Sequence, residues 1–104
     1  MYALDGGKLS VMALLGDAEI EQGLADLDGW RRDGDTLVRD LQFPDFAAAI
    51  AFVDRLAQAA EAVNHHPDIL VHGWNKVRLT LSTHSAGGIT EADLALAGTA
   101  SELV

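Results

Sequence analysis

From Lys76 to His84 the side chains alternate without a break: Val77, Leu79, Leu81 and Thr83 on one parity, Arg78, Thr80, Ser82 and His84 on the other. A period of two means a strand with one face in a core and the other outside it, which no helix can satisfy. Directly before this run, Gly73-Trp74-Asn75 supplies a turn and Ile69-Leu70-Val71-His72 a partner strand. The pattern recurs upstream. Trp30 to Asp33 reads as a strand, and Asp33-Gly34 as a tight turn tolerating positive φ. In the strand that follows, Leu37, Leu41 and Phe43 share a face with Arg39, opposite Val38, Asp40 and Gln42.

Three helical segments frame these strands. Asp17 is the expected N-cap of the first, with Glu19 and Glu21 at its positive end, Ile20, Leu24 and Leu27 on one face, and Asp28-Gly29 as its end. Pro44-Asp45 opens the longest, Phe46 to about Val63, whose expected buried stripe is Ile50, Val53, Leu56, Ala57, Ala60 and Val63. Pro67 stops it by pushing His66 out of the α region. Thr90 caps the last helix with Asp93 three residues on, and Leu94, Ala97 and Leu103 turn toward the core. The order α-β-β-α-β-β-α predicts an α+β fold of two layers, a four-stranded antiparallel sheet with three helices on one face. The other sheet face, with Val38, Thr80 and Ser82, is mixed in polarity and is a candidate for subunit contact.

A chain of 104 residues makes one domain, read as 16–104, with 1–15 as an extension, either an added edge strand or a loose arm. The net charge of −9 and the lack of a basic cluster argue against a nucleic-acid surface. There is no cysteine, hence no disulfide or thiolate metal site, and no apolar run long enough to span a membrane. The N-terminus lacks a basic region and a cleavage pattern, so a cytoplasmic location is expected.

Three of the four histidines, His65, His66 and His84, stand at element boundaries. Core packing has little use for imidazoles there, whereas proton transfer does, because histidine titrates nearest neutral pH. By parity His84 points away from Val77, Leu79 and Leu81, and the Gly87-Gly88 pair after it would let a ligand approach the backbone. Glu61, one helical turn before His65, is placed to orient that imidazole, and Asp93 to do the same from the last helix. A histidine-only zinc site is weighed and set aside, since His65, His66, His72 and His84 lack ligand spacing.

The constellation resembles the pterin-4a-carbinolamine dehydratases. The matching residues are Glu61-x-x-x-His65-His66-Pro67, Asn75-Lys76-Val77, Thr83-His84, Gly88-Ile89-Thr90 and Asp93, with Gly29-Trp30 and Phe43-x-x-Phe46 upstream. The resemblance covers roughly 16–103. Two features depart from it: Trp74 stands where the family usually has tyrosine, and one extra residue falls between Pro67 and that aromatic. The extra residue should be absorbed near Gly73, in the hairpin or as a bulge.

The resemblance implies dehydration of 4a-hydroxytetrahydropterin to quinonoid dihydropterin, in tetrahydrobiopterin recycling, without metal or organic cofactor. Protonating the leaving hydroxide while a ring nitrogen loses a proton calls for general acid and base in one pocket. It places His65 and His84 at the hydroxyl-bearing face and His66 on the other side. Glu61, Asp93 and Pro67 become orienting residues, and Trp30 a wall against the flat ring. It further implies a homodimer or homotetramer. Two other functions stay open: a binding module, such as the dimerisation cofactors of a homeodomain transcription factor in the family, and a pterin-binding relative with altered chemistry.

Overall fold

Two hairpins become one sheet when their inner strands pair, and that pairing is what the alternating apolar residues require. The computed structural model describes residues 13–104; the expected arm falls mostly on residues 1–12, outside the described residues. The elements are α1 (Asp17–Ala25), β1 (Trp30–Asp33), β2 (Thr36–Gln42), α2 (Phe46–Val63), β3 (Asp68–His72), β4 (Lys76–Leu81) and α3 (Glu91–Leu103). The sheet order is β1-β2-β4-β3, antiparallel throughout. This is the α+β, four-stranded, three-helix arrangement expected from the sequence.

Register puts Leu37 opposite Leu81 and Leu41 opposite Val77, with Ile69 beside Leu79 and Val71 beside Val77. This inner face packs with Ile20, Phe52, Leu56, Leu96 and Ala97 from the helices into one core. On the outer face Asp40 takes hydrogen bonds from Arg78 Nε at 2.7 Å and Arg31 Nη1 at 3.0 Å. The Arg78 guanidinium, with Arg31 adding to it, holds the Asp40 carboxyl below the usual carboxylate range. The extra residue before Trp74 makes no bulge: β3 and β4 stay in register from Asp68–Thr80 to His72–Lys76. It lies in the turn, where Gly73 and Trp74 both take positive φ (55° and 59°).

Several local expectations need correction. Gly16, not Asp17, is the N-cap of α1; Asp17 is the first helical residue and its carboxylate accepts Arg32 at 2.7 Å. Helix α2 begins and ends as expected, with Asp45 Oδ1 accepting the Ala48 amide at 2.7 Å. Its buried stripe is Ala49, Phe52, Leu56 and Ala60, however, while Ala57 and Val63 are exposed. So many alanines make neighbouring stripes nearly equal in apolar content, and the large Phe52, tilted against Phe43 with centroids 5.2 Å apart, decides between them. Asn64, in the left-handed conformation, closes α2 before Pro67 is reached. Strand β4 ends at Leu81 rather than Thr83, which instead makes an isolated bridge to Gly88. Helix α3 lacks a basic last turn, and two guanidiniums from elsewhere supply the charge that its C-terminus favours. Arg55 donates to the Leu103 carbonyl at 2.9 Å and Arg39 to Ser101 Oγ at 2.8 Å.

Candidate functional site

Two chain breaks meet at one end of the sheet. The first is Asn64-His65-His66-Pro67, where α2 has stopped and β3 has not begun. The second is the turn after β4, closed by Ala86 and Gly87 amides on the Thr83 carbonyl at 3.0 and 2.9 Å. Between them lies an open hollow of about 370 Å³, lined by Asn64, His65, His66, Ser82, Thr83, His84 and Ser85. The three boundary histidines thus share one hollow, although His84 lies 18 positions after His66. The volume lies within the few hundred Å³ typical of small-molecule sites.

The histidines differ in their support. His65 Nε2 meets Asp93 Oδ1 at 2.6 Å, with the imidazole 15% exposed and the carboxylate fully buried. The other Asp93 oxygen accepts the Thr83 hydroxyl and the Thr90 amide, each at 2.8 Å. Asp93 therefore both caps α3 and faces an imidazole. His66 Nε2 meets Glu61 Oε2 at 2.5 Å, a pair more than half exposed on both sides. Glu61 was expected to serve His65. Asn64, left-handed, turns the chain out of α2 before the histidines, and the Glu61 carboxylate meets His66 rather than His65. His84 is exposed and has no carboxylate partner among the described residues.

Other expected residues sit elsewhere. Trp30 is 7% exposed within the core and donates its indole Nε1–H to Ser101 Oγ at 3.1 Å. Ser101 is eight residues from Asp93 on α3, about 12 Å along the axis at 1.5 Å per residue. Trp30 is not among the residues lining the hollow. Pro67 is half-buried beside it. The glycine pair has local reasons: Gly87 adopts φ +79°, and a Cβ on Gly88 would come within 3.0 Å of Leu14 Cδ2. His72 lies on the outer sheet face in a separate hollow of about 270 Å³ with Asp40, Gln42, Lys76 and Arg78. Sequence reasoning missed the hollow's Asn64, Ser82 and Ser85, whose only advance signal was position beside the histidines. It also missed an apolar groove of about 130 Å³ between α2 and α3, reached by His65 and lined by Ala59, Val63, Ala95 and Leu96 among others.

The sequence profile described as Pterin 4 alpha carbinolamine dehydratase matches residues 13–103. The chain belongs to this family. A protein of Roseiflexus castenholzii, provisionally assigned as a pterin-4-alpha-carbinolamine dehydratase, is 52% identical over 92 residues, 88% of this chain and 98% of its own. A similarly assigned protein of Thermomicrobium roseum is also 52% identical over 92 residues, with the same coverage. Among solved structures, a transcriptional coactivator/pterin dehydratase from Brucella melitensis has 34% identity and a TM-score of 0.82, covering 86% of this chain and 96% of that one. A pterin dehydratase-like protein identified as a RuBisCO assembly factor in the alpha-carboxysome has 32% identity and a TM-score of 0.61, covering 72% and 88%. Membership supports pterin dehydratase function at the level of the family.

Proposed function

We propose that this protein dehydrates 4a-hydroxytetrahydropterin to the quinonoid dihydropterin, using His65, His66 and His84 as its acid and base groups. The observation that carries the reading is the meeting of all three imidazoles at one hollow open to solvent. A bicyclic pterin presents its hydroxyl and its ring nitrogens at different edges. Groups arriving from two separate chain breaks suit that geometry better than groups on one helix would.

In this reading His65 and His84 attend the hydroxyl-bearing edge, one delivering the proton with which hydroxide leaves as water. His66 takes or relays the proton lost from a ring nitrogen. Asp93 and Glu61 orient His65 and His66, and Pro67 fixes the direction of His66. Asn64, Ser82 and Ser85 offer hydrogen bonds to the polar edge of the ring. No step calls for a metal or an organic cofactor. The expected assembly is a homodimer or homotetramer, and the expected location is the cytoplasm.

The test is dehydration of 4a-hydroxytetrahydropterin followed by ultraviolet absorbance. Wild type should turn over, and His65→Ala and His84→Ala should each lose ~10²-fold or more, the scale of one acid–base group. Wild-type rates in both variants would refute the assignment. A folded wild type no faster than the uncatalysed reaction would favour a binding role, of the kind named for the Brucella coactivator or the carboxysome assembly factor.

A further inference from the structure

We infer that Thr83 is a positioning residue for the proposed reaction: its hydroxyl holds the Asp93 carboxylate in the orientation that engages His65 Nε2, and so fixes where the imidazole stands. The inference rests on the histidine reading above. Its starting point is an oddity of composition. Thr83 continues the parity of Val77, Leu79 and Leu81 and is 3% exposed, yet it carries a hydroxyl where those residues are apolar. A buried hydroxyl is costly unless paired, and this one is paired twice.

Proton counting fixes the direction of each bond. Asp93, capping α3 with its backbone partner, is written as the carboxylate, which only accepts. Its Oδ2 takes the Thr83 hydroxyl at 2.8 Å and the Thr90 amide at 2.8 Å. A hydroxyl has one proton, so the 2.7 Å contact between Thr83 Oγ1 and Thr90 Oγ1 runs from Thr90 to Thr83. Thr90, Thr83 and Asp93 form a directed chain ending at Asp93 Oδ1, which faces His65 Nε2 at 2.6 Å. Nε2 must then carry the hydrogen, and Nδ1, which no side chain among the described residues engages, is left for the ligand.

The backbone of the same residue holds the other histidine. The Thr83 amide donates to the Gly88 carbonyl at 2.8 Å, and the Thr83 carbonyl closes the 84–87 turn that carries His84. One residue thus joins both halves of the constellation. Of the donors on Asp93 Oδ2, the Thr83 hydroxyl is the one a substitution can remove, since the other belongs to the backbone.

Thr83→Val tests this, because it keeps the shape and deletes the hydroxyl. Two readouts apply: kcat and KM for dehydration of 4a-hydroxytetrahydropterin, and the ¹⁵N resonances of the His65 ring. The expected result is a fall of about tenfold in kcat with KM changed less than about twofold. The His65 Nε2 resonance should shift as its bond to the loosened carboxylate weakens, and Thr83→Ser should restore both. Wild-type kcat with unchanged His65 resonances in Thr83→Val would overturn the inference. Should that variant not fold, Thr83→Ala against Thr83→Ser isolates the hydroxyl, and equal rates and spectra would overturn it. If His65→Ala and His84→Ala are inactive while Thr83→Val matches wild type, the positioning role alone fails. If those histidine variants keep wild-type rates, the reading beneath it fails.

Discussion

Asp93 shows why a single buried carboxylate constrains so much. Both oxygens are used, the side chain is fully buried, and three segments depend on the result: the end of α2 through His65, the end of β4 through Thr83 and the start of α3 through Thr90. Asn at this position keeps the shape but brings an NH₂ to one side. With its oxygen on the Thr83 and Thr90 donors, its nitrogen faces His65 and demands the opposite tautomer. Asp93→Asn should therefore fold, lose about 1–3 kcal/mol of stability in urea melts, and lose ~10²-fold or more in kcat. A variant as active as wild type would show that the tautomer of His65 is immaterial. The exposed His66–Glu61 pair lacks this leverage, since pairs at that exposure contribute ~0–1 kcal/mol.

Helix formation leans on a few identifiable residues. For α2 these are Asp45 at its start and Phe52 in its middle. Asp45→Ala should cost about 1 kcal/mol by freeing the Ala48 amide, and Phe52→Ala about 3–5 kcal/mol by opening a cavity against Phe43. Urea melts of the two variants check both figures, and equal costs would mean that the core does not rest on Phe52. Period and punctuation made the elements legible in the sequence: alternation gave β4 its faces, and Asp45 and Thr90 gave two helix starts. The rotation of α2 was not legible, because alanine marks no face strongly. Nor was the partner of Glu61, which depends on the φ of Asn64, or the place of Trp30, which depends on Ser101 far away in sequence. The three histidines were legible as boundary residues. Their meeting at one hollow follows from the β3–β4 register, where Asp68 opposite Thr80 sets the residues before β3 beside those after β4.

At the scale of the whole molecule, the net charge of −9 is concentrated away from the sheet, whose outer face sets Arg31 and Arg78 around Asp40. Asp40 has a folded pKa below its unfolded value, so its contribution is present above the usual carboxylate pKa of about 3.9 and is lost as pH falls through the lower folded one. Asp40→Asn should therefore make the acid limb below about pH 4 shallower in urea midpoints measured from pH 2 to 7. The effect should be small because the carboxylate is 45% exposed. An unaltered limb would mean that the ion pairs add nothing to folding. The same outer face, on which Leu70 is exposed, is where we propose that copies of the chain would meet.

Functionally, the molecule is a sheet that carries two chain breaks to one end, and the most direct check is to place a ligand there. A crystal structure with a stable 7,8-dihydropterin should show the bicyclic ring in the hollow, with His65 Nδ1 and a ring nitrogen of His84 about 2.6–3.2 Å from its polar edge. A ring bound instead in the apolar groove between α2 and α3, or on the outer sheet face, would contradict the account.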